Sequence, residues 1–408
     1  MYGWLNALIA TSAERPTASL KLILIGLTTV GSVALNIYSP ALPLAREEFA
    51  VSVSHANLSI SLALIAFAFG LFLNGPLSDR FGRRPTVLAG LGLYIGGALL
   101  AVVSTSMISL IIARVITALG ASAGVTVARA VLGDLYDKQR MSHEIASLTL
   151  ITTMVNAAAP ILGGVLLSFG SWRLVFVALI VSGSAIAIGC YGWLPETRRT
   201  QLSRPNLRIW LALRRLSQDR VFWSYVFQGG VIYAIFFVFI ALVPHILHAL
   251  HRPPTDYGLW YPMISVGYFL GNYIVTQRAK IWGLEALIRW GVAIQALAAL
   301  AGFIWTAMGV WASFWLFLPP ALMAIGQGFA MPATTALGVG RAPKDAGVAA
   351  GVLGFGQQAI GALAVELMSF ADTSTPVPMA GFCAALALFA AGLAFKVHSS
   401  RRPSALGI

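Results

Sequence analysis

The sequence predicts an all-α membrane protein whose twelve transmembrane helices form two bundles of six, and three observations carry that expectation. Hydrophobic residues make up 58% of the 408 and charged residues only 10%, with a mean hydropathy of +0.82. Soluble domains of this size run about 45–50% apolar and about 25% charged. Twelve apolar segments are each long enough to cross a hydrocarbon core about 30 Å thick, which takes about 20 residues. The longest polar stretch falls near the middle of the chain, between the sixth and seventh segments. Segments of this length without two-residue alternation exclude an outer-membrane barrel. Two cysteines exclude a disulfide scaffold.

In chain order the segments run Leu20–Pro43, Ala56–Pro76, Thr86–Ser104, Ile108–Leu132, Ile145–Phe169, Trp172–Leu194, Phe222–Leu250, Tyr257–Thr276, Leu284–Met308, Phe314–Gly338, Ala346–Phe370 and Val377–Phe395. No small-residue cleavage site follows the first, which is expected to be a retained span and not a signal peptide. Forty glycines, nineteen prolines and eleven tryptophans suit membrane helices and their interfaces. Cys190 and Cys383, in the sixth and twelfth segments, have no ligand spacing and are expected to be small apolar fillers.

The net charge of +13 is a matter of topology. With the N-terminus in the cytoplasm, 22 of the 27 lysines and arginines fall on that side; Arg46, Arg173 and Arg252 fall on the other, and Arg114 and Arg129 lie within the fourth segment. The positive-inside rule then predicts that both termini are cytoplasmic. The expected organisation is an N-terminal bundle over 1–194, a basic linker over 195–221 and a C-terminal bundle over 222–408. The linker holds seven arginines, better explained by anionic lipid headgroups than by nucleic acid, and Leu207–Leu216 is expected to be a surface helix with Trp210 and Leu213 toward the lipid.

After the second segment comes Gly75-Pro76-Leu77-Ser78-Asp79-Arg80-Phe81-Gly82-Arg83-Arg84-Pro85. This resembles the G-x-L-x-D-R-x-G-R-R loop of the major facilitator superfamily. Asn36-Ile37-Tyr38-Ser39-Pro40-Ala41-Leu42-Pro43 is similar to the D-M-Y-L-P-A-L-P of the bicyclomycin and chloramphenicol resistance (Bcr/CflA) drug:proton antiporters, and Ala159-Pro160-Ile161-Leu162-Gly163-Gly164 to the family's G-P-x-x-G-G antiporter motif. Arg114 with Gly120, Trp172-Arg173-x-x-Phe176 and Leu194-Pro195-Glu196-Thr197 extend the likeness through the N-terminal half; the C-terminal half matches only loosely. The resemblance implies a major facilitator fold and a gate built from Gly75, Asp79, Arg80, Gly82, Arg83 and Arg84. From the residues themselves, both glycines are expected to permit a tight turn and Asp79 to cap a helix. Arg129 and Asp134 are expected to pair at the same gate, and Pro160, Gly163 and Gly164 to form the antiporter motif.

One departure bears on chemistry. Asn36 stands where the resemblance implies an acid tied to proton coupling, and an amide does not titrate near neutral pH. Asn36 and Arg114 each lie about seven residues from the same membrane face, about 10 Å deep, where they are expected to face each other. Arg114 is then either satisfied by carbonyls and neutral groups or left to meet an anionic part of the substrate. Glu366 is an acid inside the expected spans; with Asp79 it is a candidate for proton coupling.

Tyr38, Tyr233, Phe237 and Gln327, with Asn36 and Arg114, are the expected substrate contacts, since such cavities are mostly apolar with a few polar groups. His245, His248 and His251 follow at spacings of three and are read as a metal site, a pH-sensitive gate or a polar rim; without neighbouring acids the rim is preferred and no metal is expected. No phosphate loop, metal-ligand set or nucleophile elbow occurs. The expected protein is therefore not an enzyme and carries no cofactor. It is a monomeric secondary transporter exporting drugs or small amphipathic molecules by proton antiport, with a narrow metabolite exporter or facilitator and a non-transporting sensor as the alternatives.

Overall fold

The computed structural model describes residues 18–136, 138–197 and 205–399. Arg15, Arg198, Arg199, Arg204, Arg401 and Arg402 of the expected basic set, and part of the expected linker, lie outside them. The described chain is helical: α1 (Ala18–Asn36), α2 (Leu42–Glu48), α3 (Val53–Phe81), α4 (Arg83–Val102), α5 (Met107–Leu135), α6 (Lys138–Leu167), α7 (Leu174–Trp193), α8 (Pro205–Gln218), α9 (Arg220–Ala249), α10 (Pro254–Trp260), α11 (Pro262–Trp282), α12 (Leu284–Ala307), α13 (Ser313–Gly340), α14 (Ala346–Met368) and α15 (Val377–Ser399). Lipid offers no partner to a backbone amide, so each crossing must satisfy its own hydrogen bonds as a helix. Ten of the helices are long and apolar enough to cross a membrane. α6 and α11 have crossing length as well, but their charged ends, with Lys138, Arg140 and Glu144 on one and Arg278 and Lys280 on the other, lower their hydropathy.

Proline redraws two of the expected spans. The first stops at Asn36, where Tyr38 and Pro40 lead into a tight 3-10 turn, Ser39–Ala41, and then into α2; Pro40 has no amide hydrogen to continue the ladder. The expected span Tyr257–Thr276 is likewise two helices. α10 ends before Tyr261, and the crossing restarts at Pro262 and runs to Trp282, proline being well suited to the first helical position.

α1 packs with α3 to α7, and α9 with α11 to α15, as two groups of six. Each group uses the same close contact. A Cβ on Gly120 of α5 would stand 2.4 Å from the carbonyl oxygen of Gly90 in α4, and a Cβ on Gly326 of α13 would stand 2.3 Å from that of Gly291 in α12. Small residues let membrane helices approach backbone to backbone, where dispersion replaces the hydrophobic drive that lipid cannot supply.

The groups meet through α3 against α14, α6 against α10 and α11, and α9 against α2 and the 3-10 turn. α2 and α10 mark one end of the molecule, called here the capped end. Gly82, Asp134 and α8 mark the other, the basic end.

α9 begins with Asp219, whose carboxylate accepts from the amides of Val221 and Phe222 at 2.9 and 3.0 Å and from Arg341 of α13 at 3.0 Å. Partial burial opposes the charge, but the Phe222 amide, the Arg341 guanidinium and the Val221 amide outweigh it and hold this carboxyl below the usual carboxylate range. A lowered acid contributes stability above its unfolded value near 4 and loses it as pH falls through the folded value. Asp219→Ala should cost about 1 kcal/mol at neutral pH, the worth of a helix cap, and the gap from the native protein in thermal melts should narrow below about pH 4. An undiminished gap at low pH would contradict the assignment.

Candidate functional site

At the basic end the stretch from Gly75 to Pro85 is mostly helix. α3 continues through Gly75 and Pro76 to Phe81, so Gly75 makes no turn; Gly82 alone does, at φ 104°, a conformation side chains rarely adopt. Nor does Asp79 cap a helix. The N-terminus of α4 is capped by Glu196, whose two oxygens accept from the Arg83 and Arg84 amides at 2.9 and 3.1 Å. Asp79 instead accepts from Nη1 of Arg83, which also donates to Ser78 at 2.7 Å, while Nε donates to Asp134 at 2.9 Å. Asp134 also accepts from Thr197. Arg83 thereby ties α3, α4 and α5 into one unit. Arg84 bonds the Tyr191 carbonyl, Arg80 lies over the Phe81 ring, and Arg129 is exposed on α5, apart from the expected pairing with Asp134.

Arg114 is 2% exposed. Its Nη1 donates to the Ala34 carbonyl of α1 at 2.7 Å, its Nε to the Ser59 carbonyl of α3 at 3.4 Å, and its guanidinium lies 4.6 Å from the centre of the Tyr38 ring. Tyr38 is backed in turn by Phe176 at 5.3 Å. The expected Asn36–Arg114 pairing is not formed, because the Asn36 amide donates back to the Ser32 carbonyl at 2.8 Å. Nη2 of Arg114 has no hydrogen-bond partner among the described residues.

The antiporter motif lies at the capped end. A Cβ on Gly163 would stand 2.3 Å from the Ile37 carbonyl oxygen, and one on Gly258 of α10 would stand 3.2 Å from the Ile161 Cα. Ala159, Gly163 and Gly164 are buried. Pro160 and its neighbours therefore form a seat where the end of α1 and the other helix group meet.

Among the described residues, three side-chain polar contacts join the two groups, all toward this capped end. Asn57 of α3 donates to Ser369 at 2.9 Å, Ser61 of α3 donates to Glu366 of α14, and His248 of α9 lies 3.3 Å from Glu47 of α2. Asn57 and Ser61, four residues apart, share a helix face, a signal in the sequence that could have marked them; of the residues in these contacts, Glu366 and His248 are the ones expected from sequence. The three histidines do not share a face. His245 is buried on α9, His248 reaches Glu47, and His251 lies beyond the helix end at φ 55°.

The expected substrate aromatics are only partly together. Tyr233 lies 4.8 Å from Phe237 and 6.0 Å from Phe236, ring centre to ring centre, and Phe237 packs on Gly361 of α14. Gln327 lies in a separate hollow lined by Phe236, Phe239, Gln295 and Met323. Phe236 is the link between the two.

This arrangement of helices and motifs has relatives. The chain is 26% identical over 357 residues to Multidrug resistance protein D of Escherichia coli K12, covering 84% of this chain and 86% of the relative. It is 25% identical over 375 residues to the Bicyclomycin resistance protein homolog of Haemophilus influenzae, covering 87% and 91%. Its fold matches the crystal structure of a bacterial homolog of the human lysosomal transporter Spinster, with a TM-score of 0.74 at 17% identity over 96% of this chain and all of that one. The profile of the Major Facilitator Superfamily matches residues 24–365, and the chain belongs to that family of multi-pass membrane transporters, which are not enzymes.

Proposed function

We propose that this protein is a secondary active exporter of drugs or similar small amphipathic molecules, working by alternating access with proton antiport. One observation carries the reading: the contact between the two helix groups at the capped end includes an acid, Glu366, held by Ser61 of the opposite group. An ionised carboxylate confined between packed helices loses its hydration and is costly, whereas the protonated form is not and can still donate and accept. Closing this end thus favours a proton on Glu366, and opening it favours release or exchange with water. Asp79 is held by Arg83 within one group and is the weaker candidate.

The substrate contacts proposed are Tyr233, Phe237 and Gln327. Arg114 we assign to holding α5 against α1 and α3, with Tyr38 and Asn36 as its surroundings. The excess of basic residues at the end of Gly82 supports placing that end, and both termini, in the cytoplasm of a bacterial inner membrane. The names of the relatives supply the first substrates to try. In proteoliposomes carrying an internal pH dye, adding chloramphenicol or bicyclomycin should move protons against the drug. Drug flux with no proton movement sinks antiport, and no flux with either drug or a panel of amphipathic cations sinks the exporter reading.

A further inference from the structure

We propose that α8 is a membrane-surface helix whose outer face binds anionic phospholipid headgroups, a property independent of what the protein transports. α8 joins the two helix groups and packs on α9 and α14. Ala212 and Leu216, one turn apart, are buried against that surface, with Leu213 half-buried beside them. At 100° per residue, the opposite face carries Trp210, 73% exposed, followed one turn later by Arg214, and the flank beside it carries Leu211, 44% exposed, followed one turn later by Arg215. Sequence reasoning had put Leu213 with Trp210; the structure replaces it with Leu211.

The composition of this face selects its occupant. A tryptophan and a leucine this exposed do not suit water, and two arginines beside them do not suit hydrocarbon. Tryptophan at the depth of the headgroups with guanidinium groups on phosphates suits both; among the described residues no acid pairs with Arg214, while Arg215 shares Asp345. The site is also mechanically placed. Arg215 lies 3.3 Å from Asp345, just ahead of α14, and Asp219, one residue past α8, holds Arg341 at the end of α13. A phosphate that draws Arg215 from Asp345 changes the tether between α8 and the helix that carries Glu366.

The test uses the full chain with Cys190 and Cys383 replaced by alanine and a fluorophore on Ser217→Cys, in vesicles containing equal fractions of nitroxide-labelled phosphatidylglycerol or nitroxide-labelled phosphatidylcholine. The labelled phosphatidylglycerol should quench the fluorophore as if enriched about fivefold around α8, the factor expected for a single arginine at an anionic surface. Arg214→Gln with Arg215→Gln should bring the two lipids to parity, and lysine at both positions should restore most of the difference. Equal quenching by both lipids in the native background overturns the proposal, as does absence of quenching by either, which would put α8 in water or on another protein. The native comparison stands by itself if the double variant fails to fold.

Discussion

Glu366→Gln should abolish drug-driven proton movement in proteoliposomes while leaving drug binding close to native. Glutamine preserves the shape of the protonated acid and its ability to bond Ser61, so the contact between α3 and α14 survives. What is lost is the change of charge. Without it, opening and closing of the capped end no longer depends on the proton gradient, and the proton signal should fall by about tenfold or more, with uphill export lost alongside it; tenfold corresponds to about 1.4 kcal/mol of coupling. Asp79→Asn, by contrast, should disturb only the basic end, where Arg83 keeps Asp134 as its second partner. A Glu366→Gln protein that still moves protons at the native rate would remove Glu366 from the mechanism and return the question to Asp79.

Arg114→Ala is expected to destabilise the N-terminal helix group by about 2–4 kcal/mol, seen as a lower melting temperature in detergent, because charge-assisted hydrogen bonds to buried carbonyls contribute about 1.5–3 kcal/mol each. The two carbonyls it serves, of Ala34 and Ser59, stand on different helices, so the loss loosens α5 from both α1 and α3. Arg114→Lys should recover about half, since an ammonium keeps the charge but neither the forked geometry nor the stacking on Tyr38. Binding of anionic and cationic drugs should weaken together, in step with stability. Selective loss of anionic substrates with an unchanged melting temperature would show instead that the unpaired Nη2 contacts substrate.

Much of the site was legible because its chemistry is local. The pattern from Gly75 to Pro85 marked Gly82 and Arg83, and an acid within an otherwise apolar span marked Glu366. Several departures came from partners distant in the chain, others from the local course of a helix. Glu196 caps α4 across more than a hundred residues, taking the role expected of Asp79. Arg83 pairs with Asp134, where Arg129 was the expected partner. Asn36 turns to its own helix while Arg114 finds the carbonyl two residues earlier. His251 follows the spacing of a helix that has already ended.

By itself the sequence determined the medium, the number of crossings and the family, since each rests on composition summed over about 20 residues or on a contiguous motif, and neither depends on how helices are arranged. Tertiary structure alone decided which polar groups meet. In lipid every polar side chain is drawn to whichever donor or acceptor lies nearest in space, and the nearest group to Ser61 is a carboxylate 305 residues away. That contact between the two helix groups is the observation on which the proposed coupling role of Glu366 rests.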